Sequence, residues 1–213
     1  MKKVDVIKTA KEVIELQSNS IAKLEKFIDK NFQDVVNLLK NINGRLIVIG
    51  IGKSAIIGKK IVATLNSTGT SSIFIHGVEA IHGDLGSVKK DDVILFISKS
   101  GNTNELKKIF SVIKAQQNKT IAMTANKDSY LAKNSDFFLN TFVQKEACPN
   151  NLAPTTSSTA QLVMGDALAI CLLKLKGFSK NDFARNHPGG ILGKKITLKV
   201  SDIYNEKLIP KVN

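Results

Sequence analysis

The chain alternates short, wholly apolar runs with segments whose apolar residues recur at helical spacing. Leu46–Gly50, Ser72–His76, Val93–Ser98, Thr120–Thr124 and Phe137–Phe142 read as strands. Ser54–Asn66, Asn104–Gln116 and Asp128–Lys133 read as intervening helices, and Ser157–Lys176 and Ser179–Arg185 follow the last strand. Strands apolar on both faces and separated by helices predict an α/β fold with a parallel sheet covered on both sides. Ahead of them, residues 3–40 read as one helix. Its Ile7, Ile14, Ile21 and Ile28 fall at heptad spacing with Leu24 on the same stripe. Such a stripe packs on its own domain or against a second subunit. The chain is read as a helical segment (1–43), the α/β domain (44–200) and a tail (201–213).

Composition narrows the class. The chain has 213 residues, 43% apolar and 23% charged, enough for one α/β domain with a full core. No apolar run approaches the roughly 20 residues that span a bilayer, and Met1-Lys2-Lys3-Val4-Asp5 lacks the apolar segment of a secretory signal. A cytoplasmic protein without a membrane partner is expected. The net charge of +13 raises nucleic acid as a partner. The lysines are scattered, however, there is no Trp, and no aromatic residues interleave with a basic stripe. A solvated lysine surface that attracts small anions fits better than nucleic acid. Cys148 stands in a loop and Cys171 in the apolar run Ala167–Leu173, which suggests neither a disulfide framework nor zinc.

Candidate chemistry concentrates where strands end. Ser98-Lys99-Ser100-Gly101-Asn102-Thr103 follows an apolar strand and precedes a helix. A helix start offers unpaired N–H groups and the positive end of its dipole. Ser98, Ser100 and Thr103 add hydroxyls, and Gly101 allows close backbone approach. One hydroxyl suffices for a cap, so three point to phosphate. A second turn, Gly50-Ile51-Gly52-Lys53-Ser54, repeats the arrangement with a cation. It lacks the spacing of a nucleotide-binding P-loop and the complete dinucleotide fingerprint. The dipole disfavours Lys53 at a helix start, so an anionic ligand is the better explanation.

Other residues stand out by position. Two of the three histidines lie in His76–Gly86 with Glu79 and Asp84. His82 as a substrate hydrogen-bond partner fits better than a metal site, because the spacing matches no helical ligand pair. His187 precedes the rigid Pro188-Gly189-Gly190, and Glu146 stands in a loop with few other charges. Glu105 opens a helix, where the dipole alone would account for a carboxylate.

Together these residues resemble the sugar isomerase (SIS) domain and, within it, the arabinose-5-phosphate isomerase family. The matching segments include Gly52-Lys53-Ser54, Ser67-Thr68-Gly69-Thr70, Glu79–Gly86, Ser98-Lys99-Ser100-Gly101, Lys145-Glu146-Ala147-Cys148-Pro149, Leu152–Ser157, Val163–Leu168 and His187-Pro188-Gly189-Gly190. The resemblance implies a three-layer sandwich with a five-stranded parallel sheet, assembled as a homotetramer. It implies cofactor-free interconversion of D-arabinose 5-phosphate and D-ribulose 5-phosphate, feeding Kdo and lipopolysaccharide synthesis. Catalytic roles fall on Lys53, Glu105, Glu146 and His187. Ser54, Ser98, Ser100, Thr103, His82 and Thr155 fall in the substrate site. Lys99 and Asn102 depart from the Asn and Glu frequent in this family, which makes the turn more cationic. Glu146, in a proline-flanked loop that could close over the sugar, is expected to be the C2 base, with His187 opening the ring. The alternatives are a sugar-phosphate sensor without catalysis and an isomerase of another sugar phosphate.

Overall fold

A computed structural model describes residues 4–188 of the chain. In order these form α1 (Val6–Ala22), a 3-10 turn (Lys23–Phe27), α2 (Lys30–Lys40), β1 (Leu46–Gly50), α3 (Lys53–Ser67) and β2 (Ser72–His76). There follow α4 (Gly77–Ala80), a second 3-10 turn (Asp84–Ser87), β3 (Val93–Ile97), α5 (Asn104–Ala115), β4 (Lys119–Thr124) and α6 (Tyr130–Asn134). β5 (Phe137–Asn140), α7 (Thr156–Leu175) and α8 (Lys180–Asn186) complete the described chain. All five expected strands form, and their pairings are all parallel, in the order β2-β1-β3-β4-β5.

Alternate strand residues feed two cores, as the period-2 geometry of a strand requires. Leu46, Val48, Leu95, Ile97, Ile121 and Met123 pack under α2, α3 and α7. Ile47, Ile49, Ile94, Phe96 and Ala122 pack under α4, α5 and α6. The result is the α/β three-layer sandwich with a five-stranded parallel sheet. α2 contributes Phe32, Val35, Val36 and Leu39 to the first core, each worth about 1.5–3 kcal/mol of burial.

The structure corrects the sequence reading in three places. The single helix expected over 3–40 is broken. Ile28 is extended, and the Asp29 side chain accepts a hydrogen bond from Phe32 N (3.2 Å) to start α2. The break lets Leu24, with Ile21 and Phe27, close a small cluster on Val143 and Ala160. The isoleucine stripe is therefore split: Ile21 is partly buried, while Ile7 and Ile14 stay about 70% exposed. The His76–Gly86 segment, to which the sequence pattern assigns no element, contains α4 and a 3-10 turn. Finally, α7 is long and apolar enough to cross a bilayer by length and composition, with a mean hydropathy of 1.4, contrary to the expectation of no such run. Its Ala160, Met164, Leu168 and Leu172 are buried in the domain, and Gly165 lets Ile61 of α3 pack directly on its backbone.

Candidate functional site

The strand order places a topological switch between β1 and β3. From β1 the chain turns to α3 on one face, and from β3 to α5 on the other. Open parallel sheets bind ligands in the crevice this leaves beyond the strand ends. Both hydroxyl-bearing turns lie there. Gly52 begins α3 with φ 60°, a left-handed backbone that suits glycine, and no side chain caps the helix. In the second turn, Ser98 Oγ accepts a hydrogen bond from Gly101 N (3.1 Å) and lies 3.1 Å from Thr103 Oγ1. Ser100 Oγ accepts from Asn102 N (3.2 Å). The carbonyl of Lys99 accepts from Thr124 Oγ1 (3.0 Å) and Ala125 N (3.1 Å), which fastens the turn to the end of β4. α5 likewise starts without a side-chain cap. Two helix starts thus present N–H groups to the crevice without side-chain partners.

Between them lies a cavity of about 230 Å³. Lys53, Ser54, Ser98, Ser100 and Thr103 line it, as the sequence led one to expect, and Lys99, Pro154, Ser157, Ser158 and Gln161 line it as well. Ser54 Oγ donates to the buried Gln161 Oε1 (3.2 Å), tying the first turn of α3 to α7. Gln161 carried no sequence signal: a polar side chain on an apolar helix reads as a solvent-facing position until the fold turns it inward. Two larger cavities lie elsewhere. One of about 580 Å³ runs between α1 and the 144–151 loop, and one of about 680 Å³ lies at the opposite end of the sheet, where β3, β4 and β5 begin. Neither contains the hydroxyl turn.

Glu146 departs from its expected role. It is 2% exposed and serves as the missing cap of α7. Its Oε2 accepts from Thr155 N (2.9 Å), Thr155 Oγ1 (3.1 Å) and Ser157 N (3.1 Å). Its Oε1 accepts from Ser157 Oγ (2.5 Å) and pairs with Lys99 Nζ (2.7 Å). Burial alone would raise its pKa. The Lys99 ammonium, the Ser157 hydroxyl and the two backbone N–H groups outweigh that and hold it at about 2. A carboxylate so saturated with donors is a weak base, which argues against the expected role of Glu146 as the C2 base. Thr155 is committed to the same carboxylate, and its hydroxyl also accepts from Ala147 N (2.9 Å). It does not line the cavity.

The remaining candidates are dispersed. Glu105 is exposed in the first turn of α5, beside the lining residues Thr103 and Leu106, with no hydrogen bond or ion pair among the described residues. His82 is exposed between α4 and the following 3-10 turn. Among the described residues no group of three metal-ligating side chains comes together, so His76, Glu79, His82 and Asp84 do not converge. His187 lies far from the cavity within one subunit. Its ring stacks on Phe183 at 3.9 Å and its Nδ1 lies 2.8 Å from Phe183 O. The adjacent Asn186 donates to Asn66 O (3.2 Å), at the C-terminal end of α3. Lys53 opens that same 15-residue helix, so its two ends stand about 20 Å apart. The segment 189–213, including Gly189, Gly190 and the expected tail 201–213, lies outside the described residues.

Comparison with known proteins converges on one family. The SIS domain model matches residues 38–171. Arabinose 5-phosphate isomerase KdsD of Francisella tularensis is 48% identical over 203 residues, covering 94% of this chain and 62% of that protein. Arabinose 5-phosphate isomerase KdsD of Pseudomonas aeruginosa is 47% identical over 202 residues, covering 95% and 62%. The chain thus spans about 62% of the length of these curated relatives. A solved structure of an Escherichia coli CFT073 protein in complex with arabinose 5-phosphate superposes with a TM-score of 0.82 at 40% identity, covering 88% of this chain and all of that one. With its sheet order, its hydroxyl turn and a match over residues 38–171, the chain belongs to the SIS domain family.

Proposed function

We propose that the chain is an aldose–ketose isomerase that interconverts D-arabinose 5-phosphate and D-ribulose 5-phosphate. One observation carries the reading: two uncapped helix starts, a hydroxyl turn and Lys53 meet in a single cavity. Relatives at 47% and 48% identity named arabinose 5-phosphate isomerase support the substrate, as does the solved complex with arabinose 5-phosphate.

The phosphate is taken by Ser100, Thr103 and the N–H groups of α3 and α5, with Ser98 shaping the turn beneath, and Ser54 joins them by turning its hydroxyl proton from Gln161 to a phosphate oxygen. A base removes the C2 proton of the open-chain aldose. The electron pair of that bond enters C1=C2, and negative charge collects on the C1 oxygen, which Lys53 stabilises. Transfer of the C2 hydroxyl proton to the C1 oxygen, and return of a proton to C1, give the ketose. Glu105 is the carboxylate with uncommitted lone pairs beside the cavity, and we assign it the C2 proton in place of Glu146.

His187, with His82 as a sugar contact, reaches the site from a second copy of the chain. A cavity of about 230 Å³ falls below the roughly 300–1,000 Å³ of complete ligand sites. The exposed Ile7 and Ile14 supply an apolar face for a homotetramer. The product would feed Kdo synthesis in the cytoplasm. A coupled assay that detects ribulose 5-phosphate formed from arabinose 5-phosphate tests the reading; no turnover by the folded protein refutes it.

A further inference from the structure

Lys99 is the one lining residue whose charge neither the helix starts nor the proposed chemistry employs. Its backbone is fixed, because its carbonyl accepts from Thr124 Oγ1 (3.0 Å) and Ala125 N (3.1 Å). Lys99 lines the cavity together with Ser98 and Ser100. The ion pair it makes with Glu146 is lopsided: the Glu146 side chain is wholly buried, whereas that of Lys99 is 42% exposed. An ammonium carries three donors, and one of them meets Glu146 Oε1 at 2.7 Å. Two remain for the cavity.

Glu146 for its part cannot follow a moving partner. Thr155 N, Ser157 N and Ser157 Oγ hold both of its oxygens (2.9, 3.1 and 2.5 Å). The pair is therefore a cation braced from behind by a rigid anion. A lysine needed only to neutralise a buried carboxylate would have no reason to stand between two serines at a phosphate turn. Flexible ammonium groups lose considerable rotamer entropy on binding an anion, and bracing reduces that loss in advance.

We propose that Lys99 contacts the phosphate group of the substrate, donating to one of its oxygens, and that Glu146 is a positioning residue that holds the Lys99 ammonium over the cavity. This inference rests on the isomerase reading of the same site. The ligand chemistry is that of a phosphate monoester dianion, to which a charge-assisted hydrogen bond adds most when the donor is already in place.

The test uses the full chain, with inorganic phosphate as the binding probe and arabinose 5-phosphate as substrate. Lys99→Gln should weaken phosphate binding, read by calorimetry, and raise KM about 10–100-fold while kcat changes less than about threefold. Lys99→Arg should restore most of the affinity. Glu146→Gln should weaken phosphate binding in the same direction, and the double variant should bind no more weakly than Lys99→Gln alone, since both changes act through one ammonium. The double variant also leaves no unpaired buried charge, so it keeps the test alive should Lys99→Gln fail to fold. Native phosphate affinity in a folded Lys99→Gln protein, or in the double variant, overturns the proposal. A wild-type chain that binds phosphate through Lys99 but turns over no arabinose 5-phosphate refutes the isomerase reading and leaves the phosphate contact standing.

Discussion

Gly101 and Ser129 approach so closely that a β-carbon at position 101 would overlap the Ser129 side chain, which itself caps α6 through Ala132 N (3.3 Å). Gly101 also has φ 65°, a left-handed backbone. The hydroxyl turn is thus wedged against the start of α6 and admits no side chain at its apex. Gly101→Ala meets both penalties and should destabilise the protein by about 1–3 kcal/mol. It should also displace Ser100 and Thr103 and weaken phosphate binding. Denaturant unfolding together with phosphate titration checks this. Unfolding at the wild-type midpoint would mean that the turn yields without strain.

Lys53 is exposed at the first position of α3, with no ion pair among the described residues. Its removal leaves no buried group unpaired, so Lys53→Ala should unfold within about 0.5 kcal/mol of the wild type. Loss of the group proposed to meet the developing oxyanion should lower kcat about 10²–10³-fold. Steady-state kinetics on the folded variant decides. Native kcat would remove Lys53 from the chemistry.

Acid should act on the structure through Glu146. Its folded pKa of about 2 lies below its ordinary value of 4.5. The ionised form is therefore the one the fold favours. The associated stability is complete above about pH 4.5 and is lost as pH falls toward 2, where the unfolded state binds the proton first. Asp136 is held at about 2 as well, by Thr120 and Lys114 against the cost of its burial, and it adds to the same window. Denaturant midpoints measured from pH 6 to 3 should fall steadily, and less steeply in Glu146→Gln. Equal slopes in the two proteins would contradict the ionised cap.

The fold was legible because its signals were local. Five apolar runs and the glycines between them specify a parallel sheet wherever helices intervene. Ser98, Ser100, Thr103 and Lys53 were legible for the same reason, since a strand end followed by a helix start fixes where they point. The surroundings of Glu146 were not legible because its donors, Lys99, Thr155 and Ser157, come from a distant turn and from a helix start nine and eleven residues on. The same carboxylate in an empty loop would have gained basicity. Gln161 was invisible because only the crossing of α3 and α7 brings it to Ser54. The break after residue 27 was missed because heptad spacing continues through it, and Asp29 reads equally well as a helix-surface residue or a cap.

Sites shared between copies can be complemented. His187 packs on Phe183 beside the far end of α3, so a variant lacking it should carry an intact cavity but an incomplete site. His187→Asn and Lys53→Ala proteins, each nearly inactive, should regain activity when mixed, unfolded and refolded together, because some assemblies then pair a wild-type Lys53 with a wild-type His187. No recovery, with mixed assemblies verified by mass, would return His187 to its own subunit or remove it from the reaction.

The base can be assigned by following the C2 hydrogen. Glu105 and Glu146 are both carboxylates near the turn, but their lone pairs differ. Glu146 accepts from Thr155, Ser157 and Lys99, whereas Glu105 has no partner among the described residues. A base must accept a proton in the transition state, and every donor already aimed at its oxygens lowers that capacity. In deuterated solvent, Glu105→Gln should suppress exchange of the C2 hydrogen of arabinose 5-phosphate by about 10²-fold or more, in line with the usual worth of general base catalysis. Glu146→Gln should retain exchange once substrate is raised to offset the weaker phosphate contact, because it removes a brace and leaves the base in place. Exchange at the native rate in Glu105→Gln, with exchange abolished at saturating substrate in Glu146→Gln, would restore Glu146 as the base. It would also require that substrate binding first draw Lys99 away from it.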